Sequence, residues 1–138
     1  MKVITKIFVA LLLTLAVSVP TFANSPKELT NGKIDWQKAE QNYIRALGSE
    51  NIGLRQSAAN FLAQYRLSGA VKNLITTLKT DKVEQIRMAA ALALIQIGDT
   101  EGRNAVQDAS VYDGSESVAK FCKQLLEVST TVQDISAN

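Results

Sequence analysis

Histidine is absent from this sequence of 138 residues, and cysteine, tryptophan and proline are scarce, with one, one and two copies. Without imidazole the chain cannot build a Ser-His-Asp triad, a Cys-His nucleophile pair or a histidine-ligated metal site. Because Cys122 is the single cysteine, no disulfide can form within the chain. Glycine-rich phosphate-binding loops are missing as well. We therefore predict a non-enzymatic protein with no catalytic residues, no cofactor and no metal.

The balance of charge argues against nucleic acid as a partner. The full sequence has a formal net charge of +2, and Lys2 and Lys6 in its first segment account for both surplus charges. Nucleic-acid binding depends on many basic side chains that neutralise phosphates. A chain that is neutral beyond its first segment is therefore not expected to bind nucleic acid or the surface of a membrane.

The amino-terminal segment has the pattern of a secretory signal peptide. Two lysines precede an apolar run from Ile7 to Val17, which is about half of the ~20 residues that a membrane-spanning helix needs. Pro20 and small residues up to Ala23 then follow, as is typical of a cleavage site after Ala23. We expect residues 1–23 to be removed and the mature protein to be periplasmic or secreted. An uncleaved membrane anchor is the alternative.

Three regions follow the predicted signal peptide. Residues 24–34 are rich in Ser, Pro, Asn, Gly and charge, which predicts a linker, and the polar residues 129–138 predict a flexible tail. Residues 35–128 carry continuous helical periodicity. The runs of alternating polarity that are typical of strands are missing there. We therefore predict an all-α domain over residues 35–128.

An internal repeat organises the helical region. Sliding the sequence over itself by 32 positions aligns Leu54-Arg55, Ile86-Arg87 and Val118-Ala119. Residues 4, 7 and 8 positions further on are apolar in each copy: Ala58, Phe61 and Leu62; Ala90, Ala93 and Leu94; Cys122, Leu125 and Leu126. These offsets fall on one stripe of a helix, so we expect the stripe, from Leu54 to Tyr65 in the first copy, to face a shared core. Cys122 is then a small core residue, and a reactive thiol is the alternative.

Another helix precedes each of these helices, and we call the two members of a pair helix A and helix B. The predicted A helices span residues 36–47, 70–78 and 101–110. Asp81 and Asp113 are each followed three residues later by Glu, which is the spacing of a capping box at the start of helix B. Gly98 is placed to end the second B helix, and Thr100 to cap the next helix.

The segment 70–106 resembles the short bacterial form of the HEAT repeat. It has an Ala-Val start, an apolar helix, Asp81 in the turn, an Ile-Arg pair that ends in Arg87, an alanine-rich helix and Ile-Gly-Asp at 97–99. The first repeat is similar through LRQSAANFLAQYRL, and the third is degenerate. The resemblance implies a right-handed α-solenoid of about three antiparallel helix pairs.

The resemblance also implies a role for some charged residues. In HEAT repeats the turn Asp and the helix-B Arg form a structural ladder, which here implies that Asp81, Arg87 and Arg55 are structural. Ser49 stands in place of the Asp in the first repeat, and Ala119 in place of the Arg in the third. Such departures are typical of the terminal repeats that cap a stack.

The B helices of HEAT repeats line a concave face, which the resemblance implies for this chain. Residues opposite the core stripe form an outer stripe, which in the first copy also contains Ala63. The other residues of the outer stripe are then candidates for binding an unknown protein partner, with an apolar middle and polar ends: Met88, Leu92 and Ile95; Gln56 and Asn60; Lys120 and Gln124. The alternative is that the apolar three are buried between helices. Our leading prediction is an exported interaction or scaffold module.

Other functions stay open. Some HEAT-like proteins are lyases that act on tetrapyrrole attachment, so a small-ligand carrier or lyase-like enzyme using the same groove is the alternative. HEAT-like metal hydroxylases need histidine ligands, which this chain lacks. Self-association through the ends of a short stack is a third reading. Trp36 and Tyr43 are expected to seal the open end of the stack, and an aromatic binding platform is the alternative.

Overall fold

The computed structural model describes residues 33–136, with side chains described through residue 131. The predicted signal peptide and most of the predicted linker lie outside these residues. Within them the chain forms α-helices and no strand, as the sequence predicted. The helices are α1 Trp36–Ala46, α2 Ile52–Gln64, α3 Val71–Thr80, α4 Glu84–Ile97, α5 Thr100–Tyr112 and α6 Glu116–Ser136, with one 3-10 turn at Ser68–Ala70.

The helices stack as consecutive pairs. Short connections join α1 to α2, α3 to α4 and α5 to α6, and the two members of each pair pack together, as in antiparallel hairpins. The B helices form a continuous layer in which α2 packs on α4 and α4 packs on α6. Among the A helices, α3 packs on α5. The described residues are therefore a stack of helix pairs, in which the predicted third A helix is fully formed.

The core lies where the stripes of the three B helices meet the A helices. Leu62 and Leu94 are fully buried, and Leu126 is half-buried against the same core. Leu54 was expected in this stripe, and that expectation is wrong because Leu54 is 47% exposed. Its repeat equivalents Ile86 and Val118 are fully buried. Among the described residues α2 is the first B helix of the layer, so no earlier B helix there covers Leu54.

The middle B helix, α4, is buried on most of its circumference because it lies between α2 and α6. Four alanines are among its buried residues: Ala89, Ala90, Ala91 and Ala93. Small side chains let neighbouring helices approach closely without leaving cavities. On α2 the same packing buries Ala63, which the sequence analysis had placed on the outer stripe.

The helix ends differ in part from the predicted caps. Gly98 ends α4 in the left-handed conformation, with φ +82°, as predicted. The predicted cap at Thr100 is wrong, because the carboxylate of Asp99 accepts hydrogen bonds from the backbone N–H groups of Glu101 and Gly102. At the other end of the domain, α6 continues to Ser136. The sequence placed the end of the domain at residue 128, but no glycine or proline stops the helix there.

Two arginine–aspartate ion pairs connect successive repeats. Arg55 Nε lies 2.8 Å from Asp81 Oδ2, and its Nη2 lies 3.1 Å from Oδ1. One repeat later, Arg87 Nε lies 3.0 Å from Asp113 Oδ2, and its Nη2 lies 2.9 Å from Oδ1. Each guanidinium therefore holds the aspartate of the following turn in a bidentate pair. We call these two pairs the rungs.

Each rung also fixes the turn that precedes its own arginine. Arg87 Nη1 donates to the backbone carbonyl of Asp81 at 2.9 Å, and Arg55 Nη1 donates to that of Ser49 at 2.9 Å. The aspartates do not cap helices as predicted. The Asp81 carboxylate accepts a hydrogen bond from the backbone N–H of Val83, the residue that precedes α4, and no side chain caps that helix. The ladder thus runs between repeats, and it includes Asp113, which the resemblance had not singled out.

Two residues that depart from the repeat pattern, Ser49 and Ala119, lie at the ends of the ladder. Ser49 occupies the position of the aspartate in the first turn, and no earlier repeat in the described part of the chain supplies an arginine to pair with it. Ala119 occupies the position of the arginine in α6, where no later turn supplies an aspartate within the described residues. A charged residue at either place would have no rung partner in the described stack.

The second rung perturbs the titration of both partners. Burial by itself would raise the pKa of Asp113, but hydrogen bonds from Arg87 and from the Ser115 N–H outweigh it and lower the pKa. The hydrogen bond to Asp113 raises the pKa of Arg87 against the opposing effect of burial. Because the native pKa of Asp113 is depressed, its contribution to stability is present above the pKa of the unfolded chain and is lost as the pH falls.

Replacing Asp113 with Asn should therefore destabilise the protein at neutral pH. We expect Asp113→Asn to lower the free energy of unfolding by about 2–4 kcal/mol, because it leaves a mostly buried guanidinium without its counter-charge. The difference from the native protein should shrink as the pH falls below the pKa of an unfolded aspartate, about 3.9, because the stabilising ionised form of Asp113 is then progressively lost. Urea denaturation across this pH range measures both effects. Asp108→Asn, an exposed site on the same helix, is the control and should change stability little.

Candidate functional site

The apolar residues of the predicted partner-binding stripe lie on one side of α4. Met88, Leu92 and Ile95 are all half-buried. Met88 and Ile95 pack against the core, so part of their surface stabilises the stack. The stripe is therefore intermediate between the two readings of the sequence: it is neither fully exposed nor fully buried.

Leu92 and Ile95 line a groove between the carboxyl-terminal halves of α4 and α6 and the start of α5. Its volume is about 530 Å³. Leu125 and Val128 of α6 provide apolar surface opposite α4. The remaining lining residues are Arg66, Leu94, Gln96, Gly98, Arg103 and Ser129. We call this the α4–α6 groove; its lining combines apolar residues, which we call the floor, with polar and basic residues, which we call the rim.

The other predicted partner-binding residues do not line this groove. Gln56 donates a hydrogen bond to Asn60 at 3.3 Å, so these two amides on α2 are engaged with each other. Lys120 and Gln124 are exposed on α6, outside the groove lining. Met88 is also outside it. Of the predicted residues, the structure brings Leu92 and Ile95 together in the groove and leaves the rest elsewhere.

The sequence analysis missed the basic residues of the groove. Arg103 Nη2 donates to Ser129 Oγ at 3.1 Å, and that hydroxyl donates to the carbonyl of Leu126 at 2.8 Å. Arg66, from the turn after α2, lines the same groove. Their positions depend on how α5 and α6 pack, which helical periodicity does not encode. The sequence does single out Arg66, since the 32-residue register aligns it with Gly98, the glycine that ends α4.

Two smaller grooves recur at equivalent places in successive repeats. One, of about 290 Å³, lies beside Asp81, and the other, of about 240 Å³, lies beside Asp113. Both are lined by consecutive A helices and by the turn that carries the ladder aspartate. Because they repeat with the period of the fold, they follow from the packing of A helices and do not single out a binding site.

Four aromatic rings occupy the amino-terminal end of the stack. The rings of Tyr43 and Phe61 stack with centroids 3.6 Å apart, and Tyr65 contacts both Phe61 and Trp36, at 4.6 and 4.8 Å. Tyr43 has the predicted sealing role, because it packs against the core. Trp36 and Tyr65 are each more than 40% exposed. They cover the end of the stack only in part.

No helix in the part of the chain that the structure describes combines the length and apolar character needed to cross a bilayer. No group of three or more Cys, Asp or Glu side chains there is arranged to hold a metal ion.

Cys122 is fully buried in the core, as the sequence predicted. Burial, together with the negative charge of Asp113, raises the pKa of its thiol to about 11. The thiolate is the reactive form of cysteine, so both inaccessibility and the raised pKa suppress reaction. The geometry favours a structural residue over a reactive thiol.

We expect Cys122 to react with Ellman's reagent at about pH 8 at least 100-fold more slowly in the native protein than in denaturant. The absorbance of the released thiolate measures both rates. As the pH rises from the unfolded thiol's pKa towards the native one, stability should fall, because only the unfolded chain ionises. Rapid labelling of the native protein would instead identify Cys122 as an accessible thiol.

Comparison with known proteins supports the repeat assignment. A family model for HEAT repeats matches residues 32–121, which spans α1 to α5 and the first part of α6. None of the curated proteins compared with the chain matches it. HEAT repeats generally mediate protein interactions or act as scaffolds. The match covers well over half of the sequence and coincides with the stacked helix pairs and their rungs, and the chain therefore belongs to the HEAT-repeat family.

Proposed function

We propose that this chain is an exported, non-catalytic interaction module that binds a protein partner in the α4–α6 groove. The observation that carries the proposal is the groove itself, where half-buried Leu92 and Ile95 face Leu125 and Val128 below a polar rim. An apolar centre surrounded by polar groups is the usual composition of a protein-binding surface. The groove thus supports binding by a site that overlaps the predicted stripe.

The rest of the stack supports the same function by holding the groove in shape. The rungs fix the relative positions of successive repeats at the start of each B helix. A surface that is ordered before binding loses less conformational entropy when the partner arrives. The right-handed sense of the stack and its concave face remain predictions from the family.

The apolar floor can be tested with Leu92→Gln. We expect this change to abolish capture of the partner by cross-linking in intact cells, because it places a polar amide where a partner's apolar side chain would be buried. Leu92 is only half-buried, so the melting temperature should fall by less than about 8 °C. Quantitative mass spectrometry compares the captured proteins, and calorimetry measures stability.

Val111→Gln is the matched control, since Val111 is 62% exposed on α5 and lies outside the groove. This variant should capture the same partner as the native protein. Equal capture by Leu92→Gln and the native protein would exclude the groove as the binding site. Loss of capture by Val111→Gln alone would move the site to the surface between α5 and α6.

Export is supported by the amino-terminal sequence, in which lysines, an apolar run and small residues occur in the order of a signal peptide. If residues 1–23 direct export, the mature protein from a bacterial host should begin at Asn24 and fractionate with the periplasm or the medium. Mass spectrometry of the intact protein measures the new terminus. An intact amino terminus in the membrane fraction would favour the anchor.

A small-ligand carrier or lyase-like enzyme is the second candidate, because a volume of about 530 Å³ lies within the usual ~300–1,000 Å³ of small-molecule sites. This function requires that a ligand or chromophore accompanies the protein through native purification. Absorbance and native mass spectrometry detect it.

Self-association is the third candidate function. It is favoured by exposed apolar side chains on or next to α1 and α2: Trp36, Ile52, Leu54 and Tyr65. In this arrangement the exposed residues at the amino-terminal end of the stack would be covered by another copy. Light scattering separates such a dimer from a monomer.

A further inference from the structure

Arg66 occupies a backbone position that glycine fills one repeat later. The 32-residue register aligns Arg66 with Gly98, and both follow a B helix with positive φ, at 49° and 82°. The N–H of Arg66 bonds to the carbonyl of Ala63, and the N–H of Leu67 to that of Leu62, which is the hydrogen-bond pattern of a glycine-terminated helix. In the described part of the chain Arg66 is the one non-glycine residue with positive φ.

This conformation is unfavourable for any residue with a Cβ atom. The side chain of Arg66 does not offset the strain within the described residues, where its guanidinium makes no ion pair and no hydrogen bond. A strained position occupied by a residue with a long charged side chain points to a use of that side chain outside the fold. Here the side chain lines the α4–α6 groove.

The groove is basic as well as apolar. Arg66 and Arg103 lie on its rim, and none of the described residues that line it is acidic. Within the described residues the Arg103 guanidinium makes one hydrogen bond, to the neutral hydroxyl of Ser129. By contrast, Arg55 and Arg87 in the rungs are neutralised by aspartates. The rim therefore carries positive charge that the described fold leaves uncompensated, beside an apolar floor.

We propose that the occupant of the groove is a peptide segment of a partner protein in which a carboxylate side chain lies next to apolar residues. The apolar residues pack on Leu92, Ile95, Leu125 and Val128, and the carboxylate accepts hydrogen bonds from Arg66 and Arg103. Arginine suits this role because its planar fork matches a carboxylate. The inference rests on the proposed partner-binding function and adds the chemistry of the partner.

Selection from a displayed library of short random peptides on the purified mature protein tests the proposal. Enriched peptides should combine Asp or Glu with large apolar residues. Arg66→Gly should weaken the binding of an enriched peptide and raise its dissociation constant by about tenfold. The same change should raise the melting temperature by about 3–6 °C, because glycine relieves the backbone strain at this position. Loss of binding together with a gain in stability is a result that misfolding cannot produce.

Lys72→Gln is the control for net charge, since Lys72 is exposed on α3 and lies outside the groove; it should leave peptide affinity unchanged. The affinity of the native protein should fall with added salt more steeply than that of Arg66→Gly. Enriched peptides without acidic residues, or full affinity in Arg66→Gly, would overturn the proposal. The proposal would also be overturned if no peptide were enriched and decanoate bound to the native protein more tightly than to Arg66→Gly. That result would assign the groove to fatty acids.

Leu92→Gln separates this inference from the proposed function. If peptides are enriched and Leu92→Gln abolishes their binding while Arg66→Gly does not, the groove binds a partner without recognising a carboxylate. If neither variant affects the enriched peptides, the groove is not the binding site and both proposals fail.

Discussion

The bidentate pair between the arginine of one B helix and the aspartate of the next turn is the interaction on which the regularity of this stack depends. One guanidinium contacts the carbonyl of its own turn and the carboxylate of the following turn. It therefore sets the distance and orientation between repeats with a single rigid group. A lysine could not replace it, because an ammonium lacks the fixed fork. Two rungs join the three repeats of the described stack, which explains why Ser49 and Ala119, at its two ends, depart from the pattern.

This arrangement separates the rungs from the proposed binding groove along the length of α4. In α4, Arg87 lies in the first turn and takes part in a rung, whereas Ile95 lies near the other end and lines the groove. The turns at the groove end have no arginine–aspartate pair in the described structure. The arginines there, Arg66 and Arg103, are free of carboxylate partners within the described fold. The same residue type is thus structural at one edge of the stack and available for recognition at the other.

The packing of α4 explains why the sequence identified the core better than the outer faces. Helical periodicity distinguishes one buried stripe from one exposed stripe, and it placed Leu62 and Leu94 correctly in the interior. A B helix in the middle of a stack, however, has neighbours on two sides as well as beneath it. Its alanines are therefore buried outside the main stripe. The same geometry buries Ala63 on α2 and leaves Leu54 exposed, both against expectation.

The sequence by itself determined the helical class, the 32-residue period, the end of α4 at Gly98 and the burial of Cys122. The period follows from aligning the sequence with itself. The other features follow from residues within one or two helical turns, where spacing along the chain fixes position in space. The tertiary structure alone decided that Arg87 pairs with Asp113, and that residues of α4, α5 and α6 form one groove. It also decided that Arg66 lies beside that groove. These contacts join residues of different helices, so they depend on how the helices stack and not on periodicity within any one of them.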